Sequence, residues 1–547
     1  MAKEIKESIV APATVEKPVY DAAEIAANAQ HLFGYNADIA TAALDFNHVT
    51  RCSLEKAKEL IKDFAERKVD YMSGRYSNGE TKVRPGIYFR EENGGGAELS
   101  GAANGVVAVA FKANWGPLGE VVTLESPAEI PGYFGDDSGE DSNVSILEKI
   151  FLGGASTIKA VRVGSGGTKA TTKLKDTTTS MAVEVVSLTA KYAGTRALSV
   201  TIKDSLSDTT KRECIIYSGT KELSKVTFAK GNSGEVDALV AAINANTECV
   251  VTAAKLAVGN GVLATATQAT FATAGASPTI ANADYSAAFD VLEASVWNVL
   301  CVDSDATAIH ALVKAFINRA TDGGLMGIAV VGEPTSVEYA TRKSDAAAFN
   351  SPNVVYVLNG FYIDDEAQEG WKAAAVIAGL LAYLPASDSA THKVVPNASK
   401  IIGPLTNAKV EECLKSGALV FTVSSSGAVW IEQGINTLTV LASNQDAGWK
   451  KIRRTKTRYE LITRINSSTE GIVGSVNNDS NGRATFIAIA NGVINSMIAE
   501  GKLLAGAVYE DPANPAKGDS AWFVIDVYDL DSIEKVYITY KFHFSED

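Results

Sequence analysis

Three observations predict a multidomain protein of mixed class, with α/β and α+β parts. Residues 284–400 alternate short apolar runs with amphipathic stretches, the pattern of a doubly wound-like α/β core. Residues 166–283 are rich in Thr, Ala, Gly and Val and indicate an inserted β-rich domain. Residues 401–547 return to separate helices and strands and close on an apolar pattern of period two. We therefore expect an α+β C-terminal domain that ends in an extended arm.

The N-terminal part changes character near residue 82. Residues 1–82 contain amphipathic stretches such as CSLEKAKELIKDFAERK and are predicted to form a helical leader or arm. Residues 83–165 carry strand-like runs, including GIYF and GVVAVAF, and are predicted to form the β-rich first part of the core. The Gly-Pro pair at 116–117 separates two of these runs, as expected of a turn.

The middle of the chain is predicted to hold the inserted domain and the remaining core. Within 166–283, one helix, SGEVDALVAAINANTE, interrupts the strands. Within 284–400, three short apolar runs predict buried strands: VWNVLCVD, GIAVVG and NVVYVLNG. Helices are expected between and after them, near 305–324 and 335–348 and in the Ala-rich stretch AQEGWKAAAVIAGLLAYL.

Residues 401–532 are predicted to form the α+β C-terminal domain. Long helices are expected over 444–467 and 482–503. The stretches SAWFVIDVYDL and IEKVYITYKFHF are expected to be antiparallel strands, joined by a short turn around residues 529–531.

The closing segment, residues 533–547, is a strong strand pattern at a place where chains usually fray. Its predicted pairing residues alternate between two faces: Val536, Tyr537, Ile538, Thr539, Tyr540, Lys541 and Phe542. Such a strand needs a pairing partner, and the sequence is compatible with two. It pairs with AWFVIDVY of its own chain, or it joins the sheet of a second copy by β-augmentation.

A dense basic run, GWKKIRRTKTRYELITR, stands out in a chain whose net charge is −14. We call residues 450–464 the basic segment. Its predicted contact residues are Lys450, Lys451, Arg453, Arg454, Lys456 and Arg458. Either these charges lie on a solvated helix face, or they bind an acidic partner.

Composition disfavours several classes of function. The acidic balance argues against general binding to nucleic acid or to an anionic membrane. No apolar run reaches the ~20 residues of a membrane span. The five cysteines and five histidines are scattered, so neither a disulfide framework, a metal site nor a cofactor is predicted. The first residues lack the apolar core of a secretory signal, so we expect folding in a cytoplasm.

An enzyme on the doubly wound layer is an alternative function, because such layers bind ligands at the carboxyl ends of their strands. The residues at those ends are Asp303, Ser304, Gly332, Glu333 and Asn359. A simpler interpretation is that Asp303, Ser304 or Asp305 caps the next helix. Neither GxGxxG nor GxSxG occurs in the required setting, so no catalytic residue is predicted.

Several stretches, in their order and spacing, resemble contractile phage tail sheath proteins over the region from residue 83 onward. They are KVRPGIYF, NWGPLGEVVTL, TAKYAGTRALSVTI, KVEECLKSGALVFT, IEQGINTLT, NDSNGRA and DSIEKVYITYKF. The sequence departs from the family at Gly434, where an acidic residue is common. The leader precedes the point where many such proteins start.

The resemblance implies a structural subunit, not an enzyme, of a phage, a phage-tail-like bacteriocin or a related contractile injection system. Subunits of that family stack helically around an inner tube and exchange terminal strands with their neighbours. Its implied partners are further copies, the tube protein, and baseplate and tail terminator proteins, without nucleic acid or membrane insertion.

For this chain, the resemblance implies a C-terminal domain that faces the tube, with the basic segment against an acidic tube. It also implies an inserted domain that faces outward and assembly in the bacterial host cytoplasm. A surface-layer-like structural protein is a further alternative, favoured by the Thr/Ala/Gly-rich block and disfavoured by the missing secretion signal.

Overall fold

The computed structural model describes residues 73–75, 87–89, 105–136, 142–231 and 233–543. The chain separates into two compact units, Met1–Asp70 and Tyr71–Asp547. The helices predicted for the leader lie outside the described residues. The elements below all belong to the second unit.

The strands within these ranges are, in chain order, β1 (Ser73–Arg75), β2 (Ile87–Phe89), β3 (Val106–Phe111), β4 (Val121–Leu124), β5 (Thr157–Arg162), β6 (Lys169–Lys175), β7 (Glu184–Ala193), β8 (Ser199–Asp204), β9 (Lys211–Ser218), β10 (Lys221–Ala229), β11 (Val251–Lys255), β12 (Ala266–Thr270), β13 (Val299–Val302), β14 (Ile328–Gly332), β15 (Val354–Val357), β16 (Gly360–Ile363), β17 (Glu366–Gln368), β18 (Ala398–Ile402), β19 (Ala418–Leu419), β20 (Phe421–Val423), β21 (Val429–Ile431), β22 (Leu503–Glu510) and β23 (Phe523–Asp529).

The α-helices are α1 (Ile130–Tyr133), α2 (Ser145–Gly153), α3 (Glu235–Ala245), α4 (Asn282–Leu292), α5 (Thr307–Asp322), α6 (Tyr339–Phe349), α7 (Trp371–Tyr383), α8 (Asn407–Lys415), α9 (Ile452–Thr469) and α10 (Ser480–Ala499). Short 3-10 turns lie at Pro127–Glu129, Ala447–Lys450 and Glu470–Ile472.

A seven-stranded sheet, here called the central sheet, forms the core layer of the second unit, in the order β19-β15-β14-β13-β3-β5-β4. Its strands are parallel except for β4, which runs antiparallel to β5. Alternate residues of β3 face opposite layers: Val107 and Val109 pack with α2 and α7, while Ala108 and Ala110 pack with α4 and α5. Because helices cover both faces, β13, β14 and β15 are buried throughout.

Helix α7 is the most deeply buried helix of this layer, with every residue from Ala373 to Ala382 buried. It crosses α2 at a pair of glycines. A methyl group on Gly379 would lie 2.0 Å from the carbonyl oxygen of Ile150, and one on Gly153 would lie 2.1 Å from that of Val376. The two helix backbones therefore touch, which only glycine permits at this distance.

Two sheets and α3 of residues 166–283 form a separate hydrophobic core, made by residues between Ala170 and Phe271 together with Trp115. The sheets have the orders β10-β9-β8-β12 and β11-β7-β6. The chain enters and leaves as two antiparallel segments, with bridges between Ser165 and Thr279 and between Thr168 and Ala276.

The stretches NWGPLGEVVTL and TAKYAGTRALSVTI meet where this block joins the central sheet. Trp115 is 1% exposed and contacts the ring of Tyr192 edge-on, with centroids 5.4 Å apart. Arg162 is equally buried and donates hydrogen bonds of 2.8 Å to the carbonyls of Ala113, Gly116 and Ala193. Burial lowers the pKa of its guanidinium to about 10. Arg162 thus ties the two blocks together through backbone groups.

Replacing Arg162 with methionine is expected to lower the free energy of unfolding by about 3 kcal/mol, because two buried carbonyl oxygens and one partly buried one lose their donor. Urea unfolding of the isolated subunit measures it. The matched control is Arg319→Met: Arg319 is 54% exposed in its pairs with Asp290 and Glu293, and its loss should cost less than about 1 kcal/mol. Equal losses for the two variants would contradict the proposed tie.

The C-terminal part packs α9 and α10 against a hairpin of β22 and β23. The predicted pairing of AWFVIDVY with the closing stretch is wrong for this chain. Strand β23 pairs with β22 instead, and residues 530–543 form no strand. The helix predicted over 444–467 also divides, with a 3-10 turn at Ala447–Lys450 before α9 begins at Ile452.

Candidate interface at the C-terminal arm

The last described residues leave the body of the protein as an exposed segment. We call Asp529–Glu534 the arm root and Lys535–His543 the distal arm. All seven predicted pairing residues are exposed, Tyr537 at 90% and Phe542 at 80%. The rings of Tyr540 and Phe542 stack at 6.3 Å, as expected of residues i and i+2 on one side of an extended chain. The distal arm therefore presents apolar side chains and backbone groups that a partner can bind.

The hairpin of β22 and β23 lies next to the arm, and its outer edges are unpaired in the described part of the chain. Within the described residues it forms a sheet of only two strands, so both outer edges present backbone donors and acceptors. One face packs on α9 and α10, while Leu504, Tyr509, Ile525 and Tyr528 are 37–68% exposed. Two-stranded sheets are marginally stable alone, so added strands would stabilise this one.

The basic segment lies against the arm root. The guanidinium of Arg454 donates to both carboxylate oxygens of Asp529, and it also pairs with Asp446 at 3.4 Å. The ammonium of Lys451 pairs with Asp531 and, at 3.1 Å, with Glu534. Bidentate pairs between partly buried groups are stronger than exposed ones, so they fix the path of the chain after β23.

The other predicted basic residues also contact their own chain. Arg453 is buried and donates to the hydroxyl of Ser532 at 3.3 Å. Lys450 donates to the carbonyl of Thr439 at 2.9 Å, and Arg458 lies 3.9 Å from the centre of the Trp449 ring.

Lys456 donates to the carbonyls of Leu381 and Leu384, at the end of α7. Burial lowers the pKa of its ammonium to about 7. The amine is thus held inside the subunit and does not present a charge to a partner.

Glu534 is the last residue of the arm root, and its side chain is 8% exposed. One carboxylate oxygen accepts from the hydroxyls of Ser389 and Thr391, at 3.1 and 2.9 Å, and the other from the amide of Gln433 at 3.1 Å and from Lys451. Burial alone would raise the pKa of Glu534, but the hydrogen bonds and the Lys451 charge outweigh it and lower the pKa. We call the four partners of Glu534 the arm socket: Ser389, Thr391, Gln433 and Lys451.

The charged residues that the sequence prediction missed are Asp529, Asp531 and Glu534. They precede the apolar strand pattern, and their acidic spacing complements the basic run about eighty residues earlier. Because Arg454 is paired with Asp529, reversing its charge would disturb the subunit itself and would not test binding to an outside partner alone.

The residues of the alternative enzyme site are held in structural hydrogen bonds. The expected helix cap is wrong: Ala306 occupies the N-cap of α5 without a side-chain bond. Ser304 instead accepts from the Ala306 amide at 3.2 Å, and Asp305 from the Trp371 amide at 2.6 Å. Burial raises the pKa of Asp305 to about 6.

Further polar groups at the carboxyl ends of the central strands are paired within the core. Gly332 is the last residue of β14, and a methyl group there would lie 2.9 Å from the carbonyl oxygen of Val357. The remaining bonds are those of Asp303 with the hydroxyl of Tyr285 at 2.6 Å, of Glu333 with the hydroxyl of Tyr356 at 2.6 Å, and of Asn359 with the amide and carbonyl of Phe421 at 2.8 and 3.1 Å.

The described residues offer neither a metal-binding cluster nor a membrane-spanning helix. They contain no group of three or more His, Cys, Asp or Glu side chains placed to hold a metal ion. Their helices include none that is both long and apolar enough to span a membrane. The described cysteines, Cys214, Cys249, Cys301 and Cys413, are buried and free.

Comparison with protein families identifies two segments. Residues 278–437, which include the core strands from β13 to β19, match the family model for the phage tail sheath protein central domain. Residues 17–68, outside the described part, match the YqzN/YkzM domain.

Two curated relatives come from Bacillus subtilis (strain 168). The uncharacterized protein YqbK is 22% identical over 410 residues, covering 74% of this chain and 83% of the relative. The phage-like element PBSX protein XkdK is 23% identical over 387 residues, covering 69% of this chain and 78% of the relative.

Two solved structures share the fold. A sheath tail protein from Listeria innocua aligns with a TM-score of 0.61 at 18% identity, over 79% of this chain and 97% of that protein. One from Desulfitobacterium hafniense aligns with a TM-score of 0.56 at 20% identity, over 82% of this chain and 100% of that protein. The predicted mixed α/β multidomain class and the predicted resemblance to contractile tail sheath proteins are confirmed.

Proposed function

We propose that this protein is the structural subunit of a contractile tail sheath, which polymerises helically around an inner tube and contracts to drive the tube through a target envelope. The observation that carries the proposal is the exposed distal arm on a sheath-protein fold. An arm of this kind buries its apolar side chains only when another chain supplies a sheet edge.

The hairpin of β22 and β23 provides that edge in a second copy. A contact between the arm of one copy and the hairpin of the next is heterologous, so it does not close a dimer and continues into a helical assembly. The bodies of neighbouring subunits can then move relative to each other while exchanged strands keep them connected. Contraction follows if the extended lattice is metastable, and it requires no active site.

The proposed domain roles extend the expectations from the sequence. The rigid body consists of residues 83–165, the first part of the core, and residues 284–400, the doubly wound-like layer. Residues 166–283 face outward. Residues 401–532 face the tube. Lys451, Arg453 and Arg454 contact the arm root, and Lys456 is held inside the subunit. We therefore place an acidic tube contact at the half-buried Lys450 and Arg458, beside Thr439 and the Trp449 ring.

The proposed partners are further copies, the inner tube protein, and baseplate and tail terminator proteins. Assembly takes place in the bacterial host cytoplasm. The finished particle is a virion tail or a released tail-like particle.

Negative-stain electron microscopy of the purified full chain, beside a chain that ends at Lys535, tests the proposal. The shorter chain keeps the arm root and loses the strand pattern. We expect tubes or stacked rings from the full chain and dispersed monomers from the shorter one. Dispersed monomers from both would overturn the sheath proposal and reopen the enzyme alternative.

A further inference from the structure

From the last residue of β23 onward, the chain is held at three successive points before it becomes exposed. Asp529 is bound by Arg454, Asp531 by Lys451, and Glu534 by the arm socket. Ile533, between the last two points, is 87% exposed. The boundary between the fixed and the exposed chain therefore falls directly after Glu534.

The arm socket collects donors from separate segments. Ser389 and Thr391 lie in the loop after α7, Gln433 follows β21, and Lys451 precedes α9. Thr391 also accepts from the Gly434 amide at 2.9 Å, which joins two of these segments to each other. A carboxylate is the side chain that suits the socket, because each of its two oxygens accepts from two donors.

We propose that Glu534 is a positioning residue for strand exchange: it fixes the point and direction from which the distal arm leaves the subunit. The inference rests on the proposed function, in which the distal arm is the exchanged strand and Glu534 orients it. In this arrangement the basic segment binds the chain's own arm root. A fixed root spares the assembly the entropy of ordering the preceding residues, so neighbouring copies capture the distal arm at lower concentration.

The test compares Glu534→Ala and Glu534→Gln with the unmodified chain. Glutamine keeps one acceptor oxygen and removes the charge, so it separates the hydrogen bonds from the pairing with Lys451. Glu248→Ala, at an exposed acidic residue of the inserted domain, is the matched control. Three quantities are measured: the critical concentration for polymerisation, the urea midpoint of the subunit, and the mobility of a nitroxide label at Val536→Cys in a Cys52→Ser background.

We expect Glu534→Ala to increase label mobility and to raise the critical concentration about tenfold or more, since ordering two further residues at assembly costs at least that factor. Glu534→Gln should fall between Glu534→Ala and the unmodified chain. The urea midpoint should change little, because Lys451 keeps its pairing with Asp531 and the other three socket residues can bond to water once the arm root is released. The control should match the unmodified chain in every measurement.

The outcomes separate the two proposals. If the unmodified chain does not polymerise, the sheath function fails whatever the label shows. If it polymerises, and Glu534→Ala polymerises equally well, the positioning role is wrong. Unchanged label mobility in Glu534→Ala would show that the socket does not hold the arm. If Glu534→Ala lowers the urea midpoint and leaves the label mobility unchanged, Glu534 only stabilises the fold and does not position the arm.

Discussion

Replacing both Ile538 and Tyr540 with proline is expected to abolish polymerisation and to leave the subunit folded. Proline has no backbone N–H and fixes φ, so a strand with two prolines cannot continue a hydrogen-bonded ladder. Both residues are exposed, at 64% and 73%, and the ring contact of Tyr540 is with Phe542 of the same arm, so the substitutions leave the body of the subunit unchanged. The loss of two ladder hydrogen bonds at each contact costs about 3 kcal/mol, which corresponds to more than a hundredfold rise in critical concentration.

Light scattering and negative-stain electron microscopy measure this effect, with urea unfolding as the check on the subunit. The matched control replaces the same two residues with threonine, which keeps both N–H groups and a high strand propensity. Threonine should weaken polymerisation only through lost apolar area. Tubes formed by the proline variant at the wild-type concentration would show that the distal arm is not a donor strand.

The central sheet was predictable from the sequence because its strands are short, continuous apolar runs. VWNVLCVD, GIAVVG and NVVYVLNG contain β13, β14 and β15, and the helices between them follow the apolar period. The position of GVVAVAF in the same sheet was not predictable, because β3 pairs with β13 across the whole inserted domain. Local patterns carry no information about such a distant register.

The arm was predictable as a strand pattern but not in its pairing. The apolar alternation from Val536 to Phe542 is as regular as that of a paired strand, and it indicates a buried face whichever chain provides the cover. In the structure, AWFVIDVY pairs along one edge with β22, and residues 530–543 do not pair with its other edge. The arm socket was beyond sequence reasoning, since Ser389, Gln433 and Glu534 are polar residues brought together only by the fold.

The close crossing of α2 and α7 carries a large expected effect on stability. Gly379→Ala is expected to lower the free energy of unfolding by about 3 kcal/mol, because its methyl group would overlap the carbonyl oxygen of Ile150, which is backbone and cannot turn aside. The two helices would have to separate, and their separation would open the packing of α7 on the central sheet.

Gly492→Ala is the matched control, since Gly492 also lies inside a helix and a methyl group there would meet no atom within 4 Å. Alanine is the better helix former, so this variant should gain about 1 kcal/mol. Both variants are compared by urea unfolding in the chain that ends at Lys535, which keeps them monomeric under the proposed function. Both substitutions add one methyl group inside a helix. Opposite changes in the free energy of unfolding would therefore be due to the contact between α2 and α7. If Gly379→Ala also stabilises the subunit, α2 and α7 do not cross at backbone distance, and the core layer must pack differently.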